Sequence, residues 1–170
     1  MPAAKVVIVT PAPPGSRAGN RKTAIRWAQF LRDFGCRVSV LTQWAGEPCD
    51  LLVALHARKS HDALRAFRES HLDRPAVLAL TGTDIYRDIR QDRDAAASLE
   101  MATRLIVLQK EALEELTPKQ RRKARVIHQS VTSSLVPVPP VRKFRLCVLG
   151  HLREEKDPFC AARALRWVPD

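Results

Sequence analysis

Three stretches of this chain, and one histidine, gather residue types that could do chemistry. The first stretch is Pro13-Pro-Gly-Ser-Arg-Ala-Gly-Asn-Arg21, between a β-branched run and an amphipathic one. A glycine-bearing turn that opens a helix presents backbone N–H groups to which an anion can bind. Gly15 and Gly19 permit close backbone approach. Ser16, Arg17, Asn20 and Arg21 complete a candidate anion site, and Lys22 adds charge. The spacing is neither a P-loop, since no Gly-Lys-Ser/Thr follows, nor the Gly-x-Gly-x-x-Gly dinucleotide fingerprint. A plain surface loop is the alternative.

The second stretch is Thr81-Gly-Thr-Asp-Ile-Tyr86. Hydroxyls at Thr81 and Thr83, the Asp84 carboxylate and the Tyr86 phenol surround Gly82, which lets the chain turn sharply. Asp84 reads equally as a cap for the turn that follows. His56, in Leu55-His-Ala-Arg58, ends an apolar run. It is a candidate for acid–base work or a hydrogen-bonded structural histidine, and spacing alone assembles no Ser/His/Asp or Cys/His set. Trp44 and Glu47 could flank a ligand, though a packed tryptophan serves as well. The third stretch, Gly150-His-Leu-Arg-Glu-Glu-Lys-Asp-Pro158, holds Arg153 and Lys156, two cations able to face a diphosphate or simply water.

These stretches need a frame, and the apolar pattern supplies one. Short runs at Lys5–Thr10, Arg37–Thr42, Leu51–Leu55, Ala76–Leu80, Arg104–Leu108 and Ala124–His128 read as buried strands. Between them, helices are expected at Arg21–Phe34, His61–His71, Ala95–Thr103 and Glu111–Leu116. Leu64, Phe67 and Leu72 are expected to face the sheet. Alternation of this kind implies an α/β fold, a Rossmann-like doubly wound parallel sheet. Its ligand loops lie at the carboxyl ends of the strands, which is where Gly15–Arg21, His56 and Thr81–Tyr86 fall. Val136-Pro-Val-Pro-Pro-Val141 reads as a linker. Beyond it come one strand (Phe144–Leu149), a loop and a helix (Phe159–Trp167). A lone strand and helix cannot cover both faces of a parallel strand, so this unit is expected to open a further, incomplete domain.

Composition bounds the reading. The 170 residues are 45% hydrophobic, and no run reaches the roughly 18 apolar residues a membrane helix needs. Met1–Lys5 leads straight into a strand with no signal-peptide core, so a cytoplasmic chain is expected. The four cysteines, Cys36, Cys49, Cys147 and Cys160, form no Cys-x-x-Cys pair and have no histidine at ligand spacing. No metal or cofactor is expected. The net charge of +11 fits either nucleic acid or small anionic substrates. The densest basic run, Lys119–Lys123, has no interleaved aromatics and reads as a solvated helix face or turn.

A strand, a glycine-bearing loop, Thr81-Gly-Thr-Asp84, a proline linker and then Gly150-x-x-Arg153-x-x-Lys156 resemble retaining glycosyltransferases of the GT-B type. In that family two Rossmann-like domains face each other. The first handles the acceptor, and an Arg and a Lys of the second contact the donor diphosphate. More narrowly, Val9–Arg21, Glu47–Arg58 and Leu80–Arg87 are similar to the selenosugar synthases of selenoneine biosynthesis, over nearly the whole chain. The resemblance implies transfer of N-acetylglucosamine from UDP-N-acetylglucosamine to selenophosphate, with Arg153 and Lys156 on the donor diphosphate. It also implies an acceptor domain at 1–135, a linker at 136–142 and the start of a donor domain at 143–170. No nucleic-acid or membrane partner is expected, and the chain as given is expected to lack turnover. Thr81, Asp84 and His56 are the catalytic candidates. The chain departs from the broader pattern with Thr81-Gly82 where relatives carry His-Gly, and Gln129-Ser130 where they carry Asn-Gly. A sugar, lipid or protein acceptor, and a non-catalytic nucleic-acid module, are the alternatives.

Overall fold

The structure is a computed structural model that describes residues 2–130, 147–149 and 157–168. The chain divides into two compact units, Met1–Ser130 and Val131–Asp170. In the first, β1 (Lys5–Val9), β2 (Arg37–Leu41), β3 (Leu51–Leu55), β4 (Ala76–Leu80), β5 (Arg104–Val107) and β6 (Ala124–Val126) form one sheet ordered β2-β1-β3-β4-β5-β6. Every pairing is parallel. The α/β doubly wound fold is therefore as the sequence implies.

The helices follow from the handedness of the crossovers. The chain leaves β1 toward β2 on one side, then returns past β1 and steps outward through β3, β4, β5 and β6. Right-handed crossovers in opposite directions place their helices on opposite faces. Helix α1 (Gly19–Asp33) packs Ala24 and Ala28 against Val6, Ile8, Val53 and Leu55 on one face. Helices α2 (His61–Ser70) and α4 (Arg93–Met101) bury Leu64, Phe67 and Leu99 with Val7, Val9, Leu78 and Leu105 on the other. Beside α1, an apolar groove of about 380 Å³ runs over Val53, Val77, Ile106 and Ile127.

Several details differ from expectation. Leu72 is 79% exposed, because α2 ends at Ser70 and the following residues turn away. The Thr81–Tyr86 stretch continues into a π-helical turn (Asp84–Asp88) and a short helix, α3 (Ile89–Gln91). A 3₁₀ turn (Glu111–Glu115) and α5 (Pro118–Lys123) follow β5; the latter contains the basic run as an exposed helix opened by a Thr117–Gln120 capping box. In the second unit, α6 (Cys160–Ala164) and a 3₁₀ turn (Leu165–Trp167) occupy the expected helix. Cys147–Leu149 carry no strand pairing. The linker and the rest of that expected strand lie outside the described residues.

Candidate functional site

The strand order reverses between β1 and β3, and the loops leaving their carboxyl ends diverge there. Such a switch point is where open α/β sheets leave a crevice for ligands. The β1 loop closes with α1, whose N-terminus is unusual. The N-cap is Ala18, no side chain caps the first turn, and no acidic residue lies in it. Ser16 Oγ accepts from the Ala18 amide at 3.1 Å, and the Arg21 and Lys22 amides both turn back to the Ala18 carbonyl. The Gly19 and Asn20 amides have no such partner among the described residues. Gly15 has φ +80 and needs to be glycine, whereas Gly19 is helical and open space surrounds both.

A cavity of about 620 Å³ opens against this turn, lined by Gly15, Ser16, Arg21, Lys22, Arg26 and Gln129 among others. Among the described residues no Asp or Glu lines it. Gln129, three residues past β6, donates from Nε2 to Thr23 Oγ1 at 3.0 Å, which brings the far edge of the sheet back to α1. Of the sequence candidates, Gly15, Ser16 and Arg21 line this cavity, while Arg17, Gly19 and Asn20 do not. On the cavity wall Arg21 Nη1 is buried without a hydrogen-bond partner, and so is Thr10 Oγ1 just past β1, outside the cavity lining.

The second cluster lies at the ends of β3 and β4. Asp84 is fully buried, and its carboxylate accepts from three backbone amides: Thr81 at 2.9 and 3.1 Å, Gly82 at 2.8 Å and Ala57 at 3.0 Å. It does not cap the turn that follows, whose N-cap is Thr83 with no side-chain cap; it braces the Thr81–Gly82 bend before it and ties the β3 loop to the β4 loop, with both oxygens occupied. His56 is 4% exposed and adopts φ +80, sparsely populated for a residue with a side chain. The Lys59 amide donates to its Nδ1 at 3.4 Å, which leaves the proton of the neutral ring on Nε2. That nitrogen lies 3.4 Å from Thr83 Oγ1 and 4.0 Å from Asp88 Oδ2. Burial pushes the His56 pKa down, against the pull of the Asp84 carboxylate. Burial pushes Asp88 up, but hydrogen bonds from Arg87 and Arg58 and their charges outweigh it and hold its carboxyl below the usual range. Tyr86 is 39% exposed and its hydroxyl accepts from Gln109 Nε2.

Thr81, Gly82, Thr83, Asp84 and His56 are therefore gathered in one corner, and the Gly15–Arg21 loop frames the neighbouring strand end. Arg153 and Lys156 lie outside the described residues. Thr10 and the cavity side of Gln129 escaped the sequence reading. Strand alternation flagged Thr10 only as the last residue of a run, and nothing local ties residue 129 to residue 23. Among the described residues no group of three or more His, Cys, Asp or Glu side chains is placed to hold a metal ion. No described helix is long and apolar enough to cross a membrane. Compared with protein-family models and with curated proteins, the chain matches none.

Proposed function

We propose that this chain is the acceptor side of a sugar-nucleotide glycosyltransferase, and that its acceptor is a phosphate-type anion, selenophosphate on the resemblance above. One observation carries the reading. At the switch point, an uncapped and acid-free helix N-terminus stands beside a cavity lined by Arg21, Lys22 and Arg26 and, among the described residues, by no carboxylate. The partial positive charge of a helix N-terminus favours an anion there, and Arg21 and Lys22 strengthen it. A sugar or lipid hydroxyl as acceptor would call for a base that removes its proton. A selenium nucleophile already carries its charge.

In this reaction the selenium attacks the anomeric carbon of UDP-N-acetylglucosamine. A carbon–selenium bond forms, the carbon–oxygen bond to the diphosphate breaks, and UDP leaves with the electron pair. Arg153 and Lys156 would stabilise that leaving charge. Thr83 and His56, at the neighbouring strand ends, would border the sugar, and Asp84 would hold the two loops in register. The test is mass spectrometry on a protein carrying the whole second domain, supplied with UDP-N-acetylglucosamine and selenophosphate. A selenium-bearing N-acetylglucosamine product with stoichiometric UDP is expected. Transfer to a sugar hydroxyl, or UDP release indifferent to selenophosphate, would overturn the assignment.

A further inference from the structure

Parallel strands are ordinarily covered on both faces. On the α1 side of the sheet, however, Val77 of β4 and Ile106 of β5 are only partly buried, and Ile127 is 45% exposed. These three, with Val53, Trp27 and Phe30, line the apolar groove of about 380 Å³. That groove and the cationic cavity of about 620 Å³ share Arg26, Gln129 and Ser130 as a common wall. One face of α1 runs through both. Lys22, Arg26 and Phe30 recur at four-residue spacing and so lie in a row along the helix. Lys22 lines the cavity, Phe30 the groove and Arg26 both. The Arg26 guanidinium stands over the Phe30 ring, 5.4 Å from its centroid, which sets a positive charge at the mouth of the apolar part. Among the described residues neither lining carries a carboxylate.

We infer that cavity and groove form one amphipathic site for a single-chain phosphate ester, with its phosphate among Arg21, Lys22 and Arg26 and its apolar chain over Val53, Val77 and Ile106. The chemistry of the walls selects this class. A small inorganic anion would fill only the charged end, and a neutral apolar molecule would leave the cations unmatched. A second copy of the chain would bring another net charge of +11 to a mouth that is already positive. The groove volume of about 380 Å³ suits a small molecule. The inference goes beyond the acceptor reading above: it shares the cavity and adds the groove, so a tailed phosphate competes there with a small anion.

The test titrates the full chain at constant ionic strength with inorganic phosphate and with ethyl, hexyl and decyl phosphate, each kept below micelle formation. Melting temperature and tryptophan fluorescence are followed, with Trp27→Phe as the reference for the groove signal. Each buried methylene should tighten binding about fourfold, so decyl phosphate should bind at least about tenfold more tightly than ethyl phosphate. The Trp27 signal should respond to the long esters only. Decyltrimethylammonium, with the same chain and the opposite charge, should bind at least about tenfold more weakly than decyl phosphate. Ile127→Glu, at a half-exposed position, sets a carboxylate in the groove. It should keep the ligand-free melting temperature and the response to inorganic phosphate but lose the gain with chain length. Equal affinity along the series, an equal response to the cationic amphiphile, or a gain that survives Ile127→Glu overturns the inference. So does a dimer of the free protein that Ile127→Glu splits, because the groove is then an interface between copies. Phosphate binding with no gain from the chain leaves the acceptor reading standing and removes this inference alone. Tight binding of the long esters by a protein indifferent to inorganic phosphate does the reverse.

Discussion

At Asp84 a single carboxylate takes hydrogen bonds from the amides of Thr81, Gly82 and Ala57, two of them on its own loop and one on the loop after β3. Asp84→Asn would turn an NH₂ group toward amide donors that need an acceptor. We expect it to destabilise the fold by about 2–3 kcal/mol, read from urea unfolding, because buried donors are left unsatisfied. His56 makes a different prediction. Its pKa is lowered in the fold by burial first of all, so the folded state binds its proton less readily than the unfolded chain. The unfolded state then holds more protons as pH falls, and stability declines with acid. The stability from neutral His56 is full above the ordinary histidine pKa of about 6.5 and is lost as pH drops below it. Asp88, also lowered, adds its own loss only below the ordinary carboxylate range. The groups facing His56 are Asp84, Asp88, Lys59 and Arg58, so the order of these two losses is set within one corner. His56→Asn tolerates the positive φ and does not titrate. It should flatten the fall in melting temperature between about pH 7 and pH 5 while leaving the steeper loss at lower pH. An unchanged acid profile in that variant would show that other groups govern it.

At the scale of elements, α1 combines a strong packing face with a bare beginning. Ala24 and Ala28 are fully buried, but Ala18 provides no cap. Ala18→Asp should stabilise the ligand-free chain by about 1 kcal/mol through capping, and at the same time remove protection by phosphate, since the new carboxylate takes the amides that the anion would use. Stabilisation with protection intact would place the anion elsewhere. Helix α2 is the opposite case, with all its weight in the core. Phe67 is 0% exposed and meets Trp44 edge-on at a centroid distance of 5.4 Å, so Phe67→Ala should cost about 3–5 kcal/mol in urea unfolding. These long elements were legible because their apolar residues recur at helical or strand spacing. The strands β3 and β4 agree with the sequence expectation to the residue. Short elements were not legible. The π-helical turn at Asp84–Asp88 is held by tertiary hydrogen bonds to a distant loop, and α5 has no buried residue to set a period. Its start was nonetheless written in Thr117-Pro-Lys-Gln120, a capping box with proline at the first helical position.

Over the whole molecule, the candidate site was half legible. A parallel sheet obliges loops to gather at its carboxyl edge, so Gly15–Arg21, His56 and Thr81–Asp84 could be placed together from strand order alone. The orphaned state of Thr10 and the return of Gln129 to Thr23 depend on packing between residues far apart in sequence, which no local pattern encodes. The net charge of +11 complicates any test of this site, because it draws every anion toward the protein. Two effects must then be separated. Screening of self-repulsion acts through ionic strength; with a Debye length of about 10 Å at 0.1 M salt, chloride serves as well as phosphate at equal ionic strength, and the response does not saturate at a stoichiometric site. Binding at the α1 N-terminus follows mass action, so stabilisation rises as the logarithm of ligand concentration above its Kd, reaching about 2.7 kcal/mol at a hundredfold excess. At constant ionic strength held with potassium chloride, replacing chloride by phosphate should therefore raise the melting temperature along a single-site curve. Arg21→Ala together with Lys22→Ala lowers the net charge only slightly but removes two cations from the cavity wall, so it should weaken that curve far more than Arg121→Ala with Arg122→Ala, which discards equal charge from exposed α5. Equal losses from the two double variants would mean that the field of the whole molecule, and not the β1 loop, attracts the anion.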